Sequence, residues 1–481
     1  MHRFYLAEGN VLFEQQQFAE SIACYIKAAK TEALIASSEM NSARARAEWL
    51  RARSNQAPKV AVAAWDLGHN AAGRAVTLVD LYHYGGVSAD LIGCVVKPEH
   101  GIWPPIRYLS DRIRSFNLGQ SETFLTDCLQ FVLQHPYDVV HLSKPRMMNV
   151  VLGLLYKALW GSKVIMDVDD EELAFVQKVA PLSFAAFEAK QYSEKSLHAP
   201  VWTQLAVGSV ALFDAVTVSN PALQAKYGGV IIPHVRNESL FVQAKKERTQ
   251  VRASLGLEPD DLLVIFVGTP RKHKGLLETA SALASLQEHK VKFLIAGDFP
   301  YQDLKEELLQ LKGLQILFAP GPSFEQMPGL VAAGDVCVLL QDPETLVAQY
   351  QLPAKLVDAL AAGLQVYIRP TDATQHIVEA QAAIAATPDS LPTEIRTLLQ
   401  KDNFCNNTGV NYFAAHLSMA ANWPKLHALL GDVVDQAQPP VALTGVFKPL
   451  CFKPNLFEFC NQIAERLVVQ SDARSNVKAS T

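Results

Sequence analysis

The chain has 481 residues, of which 49% are hydrophobic and 19% charged, a composition typical of a folded globular protein and not of a disordered or collagen-like one. Its 43 lysines and arginines against 48 aspartates and glutamates give a net charge of −5, so no basic field predicts nucleic-acid binding. Its seven cysteines are few and odd in number and form no CxxC pair, which favours a reducing compartment over a disulfide scaffold or a zinc site.

Residues 1–57 are rich in Ala, Glu, Gln and Arg, contain no proline, and are predicted to be entirely helical. Within residues 6–29, small and large side chains such as Gly9 and Tyr25 have the spacing of two closely packed helices. This segment resembles one tetratricopeptide (TPR) repeat, and residues 31–53 could supply a capping helix. Two interpretations stay open for the extension: a module that binds a protein partner, or a helical segment docked on the neighbouring domain.

From residue 58 onward, short β-branched runs alternate with helical periodicity, which predicts a parallel, doubly wound sheet because parallel strands need crossover helices. Residues 58–238 are predicted to form a first Rossmann-like domain. Its strands are predicted at 60–64, 91–96, 139–142, 164–166, 215–218 and 230–232. Its helices are predicted at about 71–84, 121–134, 146–160, 185–211 and 220–227.

A polar, charged stretch at residues 237–261 interrupts this series and is predicted to be a linker. Residues 239–400 then repeat the pattern as a second Rossmann-like domain, with strands predicted at 262–267, 291–296, 314–318, 336–339 and 365–368. Its helices are predicted near 275–287, 301–311, 325–333 and 353–362. Residues 401–481 are predicted to be a C-terminal extension whose helices pack back on the two domains. The fold class is therefore α/β, with ligands expected in the cleft between the domains.

The sequence VIFVGTPRKHKGL at residues 264–276 places basic side chains between a predicted strand and a predicted helix. The backbone N–H groups and the dipole at such a helix start favour an anion, and arginine and lysine add charge-assisted bonds to phosphate oxygens. A solvated basic loop is the alternative. The position at the end of a strand favours the anion site, because a doubly wound domain keeps its ligand there.

A second stretch, LPAKLVDALAAGLQV at residues 352–366, places Lys355 and Asp358 one turn apart on one face of a predicted helix. The Asp358 carboxylate could accept hydrogen bonds from both hydroxyls of a ribose. On spacing alone, Lys355 and Asp358 could equally form a surface ion pair.

Four motifs follow one another in the second half of the chain: the strand–GTPRKHKGL–helix segment, IAGD at 295–298, FEQMPGLVAAGDVCVLL at 324–340, and PAKLVDALAAG at 353–363. The first half contributes DLGHNAAGR at 66–74, YDVVHLSKPR at 137–146 and VIIPHVRNE at 230–238. Together these motifs resemble family-4-like glycosyltransferases of the GT-B fold. The resemblance covers about residues 59–390 and implies two Rossmann-like domains that face a cleft.

The resemblance also implies roles for individual residues. Lys274 matches the family's diphosphate-binding lysine, and Arg271 matches its arginine, with Lys272 as an alternative, so the predicted catalytic residues are Arg271 and Lys274. Asp358 matches the second acidic residue of the E-x7-E element, which binds the donor ribose, whereas Tyr350 stands where the first acidic residue is expected. The other predicted donor-binding residues are Gly268, Thr269, Lys272, Gly275, Lys355 and Gly73, with Gly68 as an alternative to Gly73.

The acceptor cleft is predicted at the strand ends of the first domain. For the aspartates of the sequence DVDD at 167–170, three interpretations stay open: a role at the acceptor cleft, capping of a helix by Asp170 or Glu171, and binding of Mg²⁺. Because GT-B enzymes generally need no metal, no metal site is predicted. A strand-end histidine whose bonds are satisfied within the fold is the alternative reading of His141. The candidates for the acceptor cleft are Asp66, His69, His141, Asp169 and Asp170.

The predicted function is transfer of a sugar, as by a hexosyltransferase, from a nucleotide diphosphate sugar to a hydroxyl acceptor. The resemblance implies retention of configuration, no cofactor, and a glycan or lipid-linked acceptor, for example in bacterial surface polysaccharide synthesis. A catalytically degenerate nucleotide-sugar-binding scaffold and a nucleotide-sugar epimerase remain alternatives. No signal peptide or membrane span is predicted, so the protein is expected in the cytoplasm. The apolar residues 146–163 are either a peripheral contact with the inner membrane face or a core helix.

Overall fold

The computed structural model describes residues 1–119, 123–177, 180–188, 197, 199–401, 403–436 and 439–479. The helices of the first half are α1 (His2–Glu14), α2 (Phe18–Ala28), α3 (Ile35–Arg53), α4 (Gly73–Tyr84), α5 (Phe124–Gln134), α6 (Met147–Trp160), α7 (Phe184–Glu188), α8 (Pro200–Gly208) and α9 (Pro221–Tyr227). Those of the second half are α10 (Glu238–Ser254), α11 (Leu276–Ala284), α12 (Gln302–Leu309), α13 (Met327–Ala332), α14 (Leu346–Tyr350), α15 (Ala354–Ala362), α16 (Gln375–Glu379), α17 (Leu391–Leu399), α18 (Asn407–Tyr412), α19 (Met419–Asp435) and α20 (Leu456–Ala479).

Two parallel sheets carry the fold. The strands of the first sheet are β1 (Val60–Ala64), β2 (Ala89–Val95), β3 (Ile113–Asn117), β4 (Val139–Ser143), β5 (Lys163–Val168), β6 (Ala215–Val218) and β7 (Val230–Ile231), in the order β3-β2-β1-β4-β5-β6-β7. Those of the second sheet are β8 (Leu262–Val267), β9 (Val291–Ala296), β10 (Gln315–Ala319), β11 (Val336–Leu339), β12 (Gln365–Ile368) and β13 (Ile384–Ala385), in the order β10-β9-β8-β11-β12-β13. The predicted alternation of strands and helices is confirmed in both halves.

Helices cover both faces of the first sheet, because successive side chains of a strand point to opposite faces. On β1, Val60 and Val62 belong to the core under α4, whereas Ala61 and Ala63 belong to the core formed with α5 and α6. The strand order reverses between β1 and β4 and again between β8 and β11. These two reversals are where a doubly wound sheet opens a crevice for a ligand.

The N-terminal extension is docked on the first sheet's helices. α1 and α2 approach closely at Gly9, where an added Cβ would lie 2.5 Å from the ring of Tyr25. On α3, the ring of Trp49 packs against Trp160 of α6, with centroids 5.2 Å apart. The docked segment is therefore present, and TPR-like binding of a protein partner stays a prediction.

The stretch predicted as a linker is mostly the helix α10, and this helix packs on α13 of the second sheet. Its Arg248 and Arg252 both pair with the carboxylate of Asp335. The C-terminal helices return to both halves, since α18 packs on α15, α19 on α4 and α20 on α6. Of the helix predicted at 185–211, the structure shows α7 and α8, and residues 189–196 and 198 lie outside the described residues.

The apolar helix α6 is buried along its whole length, from Met147 to Trp160. It packs against α3, α5, α8 and α20. The interpretation of residues 146–163 as a core helix is therefore confirmed for α6, because other helices already cover the apolar side chains that a membrane contact would need. Among the described residues, no helix is both long and apolar enough to cross a membrane.

Candidate active site

Ring packing and hydrogen bonds join the two halves across the cleft between the two crevices. Phe324, in the loop after β10, packs against Trp103 of the first half with ring centroids 5.7 Å apart. Asn220, which caps α9, donates a hydrogen bond to the backbone carbonyl of Tyr350 at 2.8 Å. Residues from both halves therefore form one site.

The loop between β8 and α11 has the backbone that its glycines predict. Gly275 has a φ of +70°, and an added Cβ would lie 2.3 Å from the carbonyl oxygen of Leu340, so only glycine fits there. As the residue before α11, Gly275 offers no side chain to cap the helix. The first N–H groups of α11 have no partner within the helix, which makes this end a place for an anion.

Lys274 lies at the centre of the site. Its ammonium donates to the amide oxygens of Gln351 at 2.8 Å and Gln341 at 3.4 Å, and among the described residues no carboxylate lies within ion-pair distance of it. Burial, together with the positive charges of Lys355 and Arg271, lowers the pKa of Lys274 to about 7. A buried cation with only neutral acceptors is a strong site for a ligand's negative charge.

Lys355 adds a second cation, half-buried, beside the loop. Its ammonium lies 4.7 Å from the ring centroid of Phe266, and 3.3 Å from where a Cβ on Gly268 would stand. Gly268 has a φ of +129°, which glycine adopts without strain. Burial lowers the pKa of Lys355.

Asp358 does not form the surface ion pair with Lys355 that spacing alone allowed, and its side chain is buried whereas Lys355 is half-buried. Its carboxylate accepts a hydrogen bond from Nε of Arg236 at 2.6 Å. Arg236 comes from the segment after β7, so this pair also crosses from the first half of the chain to the second. A ribose bound by Asp358 would have to share the carboxylate with Arg236.

The remaining basic side chains of the loop point in different directions. The Lys272 ammonium is 2.8 Å from Glu307 and 3.0 Å from Asp303, both on α12, and these three side chains are largely exposed. Burial and the positive charges of Lys274 and Arg271 lower the pKa of His273 to about 4. The structure therefore brings Lys274 and Lys355 together with Gly268 and places Lys272 on the outer surface.

On the other side of the cleft, Lys144 is surrounded by carboxylates. Its ammonium lies 2.7 Å from Asp170, 3.2 Å from Asp169 and 3.8 Å from Glu172. One oxygen from each of these three carboxylates lies within 4.8 Å of the others, a grouping that could hold a metal ion, and the Lys144 ammonium is bonded into the same cluster. Glu171 caps the short helical turn that follows by accepting from the N–H of Leu173, which confirms the capping alternative for that residue.

The pKa values of the two neighbouring aspartates are shifted in opposite directions. Burial, helped by the negative charges of Asp170 and Asp167, raises the pKa of Asp169 to about 7 against the opposing charge of Lys144. Burial alone would raise the pKa of Asp170 as well, but Lys144 and hydrogen bonds from Lys144 and Gln351 hold it well below its usual range. Asp170 is therefore the ionised carboxylate that faces the cleft.

Two of the other acceptor-cleft candidates, His141 and Asp66, are buried. His141 is completely buried, with Nε2 2.9 Å from the Thr217 hydroxyl and Nδ1 3.3 Å from the Tyr82 hydroxyl, so it is a satisfied core histidine and its predicted role at the acceptor cleft is wrong. Asp66 is also buried, and its carboxylate pairs with half-exposed His69 at 3.1 Å.

The loop after β1 contains Gly68 and Gly73, and the space around these glycines is less crowded than around Gly275. A Cβ on Gly73 would meet only the Phe324 ring, at 4.0 Å. Gly68 donates its N–H to Asp66. Close approach of a diphosphate to Gly73 stays a prediction.

Sequence reasoning missed several polar residues of the site. Lys144 had a readable signal, because it lies two residues after a predicted strand. In the structure its φ is +74°, which is rare for a residue with a side chain. Gln351 had none, since a neutral side chain between two short helices carries no spacing signature. Arg236 and Arg74, which bonds to Asp167 at 2.7 and 2.9 Å, depend on contacts between segments far apart in the chain.

Comparison with known proteins gives a family match in the second half of the chain. Residues 261–401 match the family model described as glycosyl transferases group 1. An uncharacterized glycosyltransferase of Methanocaldococcus jannaschii is 24% identical over 168 residues, which are 33% of this chain and 41% of that protein. The chain thus spans less than half the length of this curated relative. The resemblance to group 1 glycosyltransferases is confirmed for residues 261–401.

Solved structures extend the fold comparison to most of the chain. HepE of Anabaena in complex with UDP and glucose has a TM-score of 0.55 at 15% identity, covering 78% of this chain and 100% of that one. A putative UDP-N-acetylglucosamine 2-epimerase of Listeria monocytogenes has a TM-score of 0.50 at 12% identity, covering 80% and 99%. At these identities the likeness concerns the fold alone. The predicted α/β fold of the GT-B class is confirmed.

Proposed function

We propose that the protein transfers a sugar from a nucleotide diphosphate sugar to a hydroxyl acceptor, with retained configuration and without a metal. The observation that carries the proposal is the half-buried ammonium of Lys274, which has only amide partners and lies beside an uncapped helix start and a second half-buried cation, Lys355. Such a site fits a diphosphate that becomes more negative as it leaves. The bound UDP of the HepE structure supports a nucleotide donor.

During transfer, the bond between the sugar's anomeric carbon and the diphosphate oxygen breaks and its electron pair leaves with the diphosphate. The acceptor oxygen would bond to that carbon on the same face, and its proton would pass to the leaving diphosphate oxygen. Lys274, Arg271 and the N–H groups at the start of α11 would stabilise the charge that develops on the diphosphate. Asp358 would hold the ribose, so its loss should raise KM for the donor more than it lowers kcat. Asp169 and Asp170 would face the acceptor.

The finer features belong to the same proposal. Residues 58–238 would be the acceptor domain and residues 239–400 the donor domain, with a glycan or lipid-linked acceptor. The setting would be polysaccharide synthesis in the cytoplasm, and the chain would use no further cofactor.

An epimerase is the second candidate, favoured by the fold likeness to a putative 2-epimerase and by Tyr350 at the first acidic position. The Tyr350 ring lies 5.3 Å from the Lys226 ammonium. Product analysis separates the two activities, because an epimerase returns a nucleotide sugar with one inverted carbon and no free nucleotide diphosphate. A degenerate scaffold would bind the nucleotide sugar and form neither product.

The test is calorimetric titration of the full chain with UDP, GDP, ADP and TDP. We expect micromolar binding of one nucleotide and at least tenfold weaker binding by Lys274→Ala, as is typical of lost charge-assisted contacts. Lys290→Ala, which removes an exposed lysine paired with Asp260, is the matched control and should bind as the wild type does. If none of the four nucleotides binds at millimolar concentration to a folded sample, the proposed donor site is wrong.

A further inference from the structure

The side chain of Gln351 crosses the middle of the cleft. It follows α14 in an extended conformation, with φ −97° and ψ 122°. Its amide oxygen accepts from the Lys274 ammonium at 2.8 Å, and its amide nitrogen donates to Asp170 at 2.9 Å. Asp170 in turn pairs with Lys144 at 2.7 Å. A continuous chain of hydrogen bonds therefore runs from the donor-side lysine to the acceptor-side carboxylate.

An amide satisfies both ends of this bridge because it carries an acceptor and a donor on one side chain. An ammonium can only donate and an ionised carboxylate can only accept, so the carbonyl oxygen must face Lys274 and the NH₂ group must face Asp170. A glutamate at position 351 would meet Lys274 well but would oppose the charge of Asp170. A leucine would leave both charged groups without this partner.

The bridge is also the contact that a ligand must displace. A diphosphate bound by Lys274 needs the ammonium hydrogens that now point to Gln351 and Gln341, and the Gln351 bond is the shorter of the two. The other cross-cleft contacts of this segment, from Asn220 to the Tyr350 carbonyl and from Arg236 to Asp358, do not involve Lys274. Among these contacts, only the one made by Gln351 links the first half of the chain to the Lys274 ammonium.

We propose that Gln351 is a positioning residue that holds the Lys274 ammonium in the cleft until a nucleoside diphosphate takes it, and that couples this ammonium to Asp170 on the opposite side. The inference rests on the proposed function, since it assumes that a nucleotide binds at Lys274. The charged groups that face Lys274 are Arg271 on its own loop, Lys355 on α15 and Asp170 from the segment after β5. Gln351 is the neutral group between Lys274 and Asp170.

The test follows the pH dependence of binding for whichever of UDP, GDP, ADP and TDP binds the wild type, from pH 6.5 to 9.5. Nucleotide affinity should fall as the pH rises through the pKa of Lys274, and the midpoint is the pH at which this fall is half complete. Gln351→Leu removes an acceptor from the ammonium and should shift this midpoint down by about one pH unit. Gln351→Glu adds a carboxylate and should shift the midpoint up by about one unit or more, while it weakens binding roughly tenfold at pH 7 through competition with the diphosphate. Shifts in opposite directions are not expected from a merely structural role.

Two further variants complete the design. Asp170→Asn should change nucleotide affinity at least about threefold when Gln351 is present and much less in the Gln351→Leu background, because contacting groups couple and separated ones do not. Gln341→Leu, which removes the longer bond, should shift the midpoint less than Gln351→Leu does. If both Gln351 variants keep the wild-type midpoint while Lys274→Ala weakens binding, the inference is wrong and the proposed function stands. If the wild type binds no nucleotide, the proposed function itself fails.

Discussion

The two sides of the cleft handle buried charge in opposite ways. On the side of the first sheet, the buried carboxylates near the cleft are matched with cations: Asp167 with Arg74, Asp170 with Lys144, Glu171 with Lys226 and Glu172 with Arg146. On the side of the second sheet, Lys274 and Lys355 lie against amides and an aromatic ring. A charge pair completed within the fold needs no ligand and is costly to break, whereas half-buried cations without a counter-ion favour a site completed by an anionic ligand.

The largest expected effect breaks the paired side. Arg74→Met leaves Asp167 buried without its cation, and we expect the free energy of unfolding to fall by about 3–5 kcal/mol, as for other broken buried pairs. Arg51→Met, which removes an exposed i,i+3 pair with Glu48, is the matched control and should change it by roughly 0.5 kcal/mol or less. Denaturant unfolding measures both values. Equal values for the two variants would contradict the contrast drawn here.

The second-largest expected effect concerns the side of the second sheet, where Lys274 has only amide partners. Lys274→Ala should lower kcat on the donor sugar by on the order of 10²–10³-fold, because it removes a group that stabilises the leaving diphosphate. The free energy of unfolding should not fall, since the ammonium has no buried partner charge among the described residues. Donor turnover and denaturant unfolding of the same sample measure the two quantities. Wild-type turnover in this variant would exclude Lys274 as the catalytic cation.

The same contrast explains which parts of the fold and of the site could be predicted from the sequence. Strand runs such as 262–267 and 336–339 could be predicted because strands buried on both faces are continuously apolar. The edge strands β3 and β13 escaped notice because they are partly exposed and carry no such run. Lys274 was found because glycines and basic residues in one loop form a local motif, and those glycines have the backbone angles that the motif requires.

The charge pairs on the side of the first sheet could not be predicted in the same way. Arg74 and Asp167 are 93 positions apart, and Gln351 and Asp170 are 181 apart, so only the folded chain brings them together. The cluster of aspartates at 167–170 was visible, but its cation, Lys144, arrives from the end of a different strand. Local patterns thus predicted the ligand side of the cleft better than its internally neutralised side.

The pH dependence of nucleotide binding sharpens the comparison further. With its pKa lowered to about 7 by burial and by Lys355, Lys274 is an ammonium below that pH and is increasingly neutral above it. The terminal phosphate of a nucleoside diphosphate has a pKa of about 6 and is mostly dianionic by pH 7, so affinity should be highest near pH 7 and fall by up to tenfold per pH unit above it. Calorimetry in buffers of different ionisation enthalpy should show proton uptake at pH 8. Lys274→Arg keeps its charge throughout and should lose this dependence.

The smallest expected effect has the opposite sign. Lys355→Met keeps the length and most of the volume of the side chain beside Phe266 and removes a half-buried charge that has no carboxylate within ion-pair distance among the residues described. We expect it to raise the free energy of unfolding by roughly 1 kcal/mol and to weaken nucleotide binding, a trade of function for stability. Denaturant unfolding with and without a saturating nucleotide measures both parts. If Lys355→Met destabilises the apo protein, Lys355 is satisfied within the fold and belongs with the paired side of the cleft.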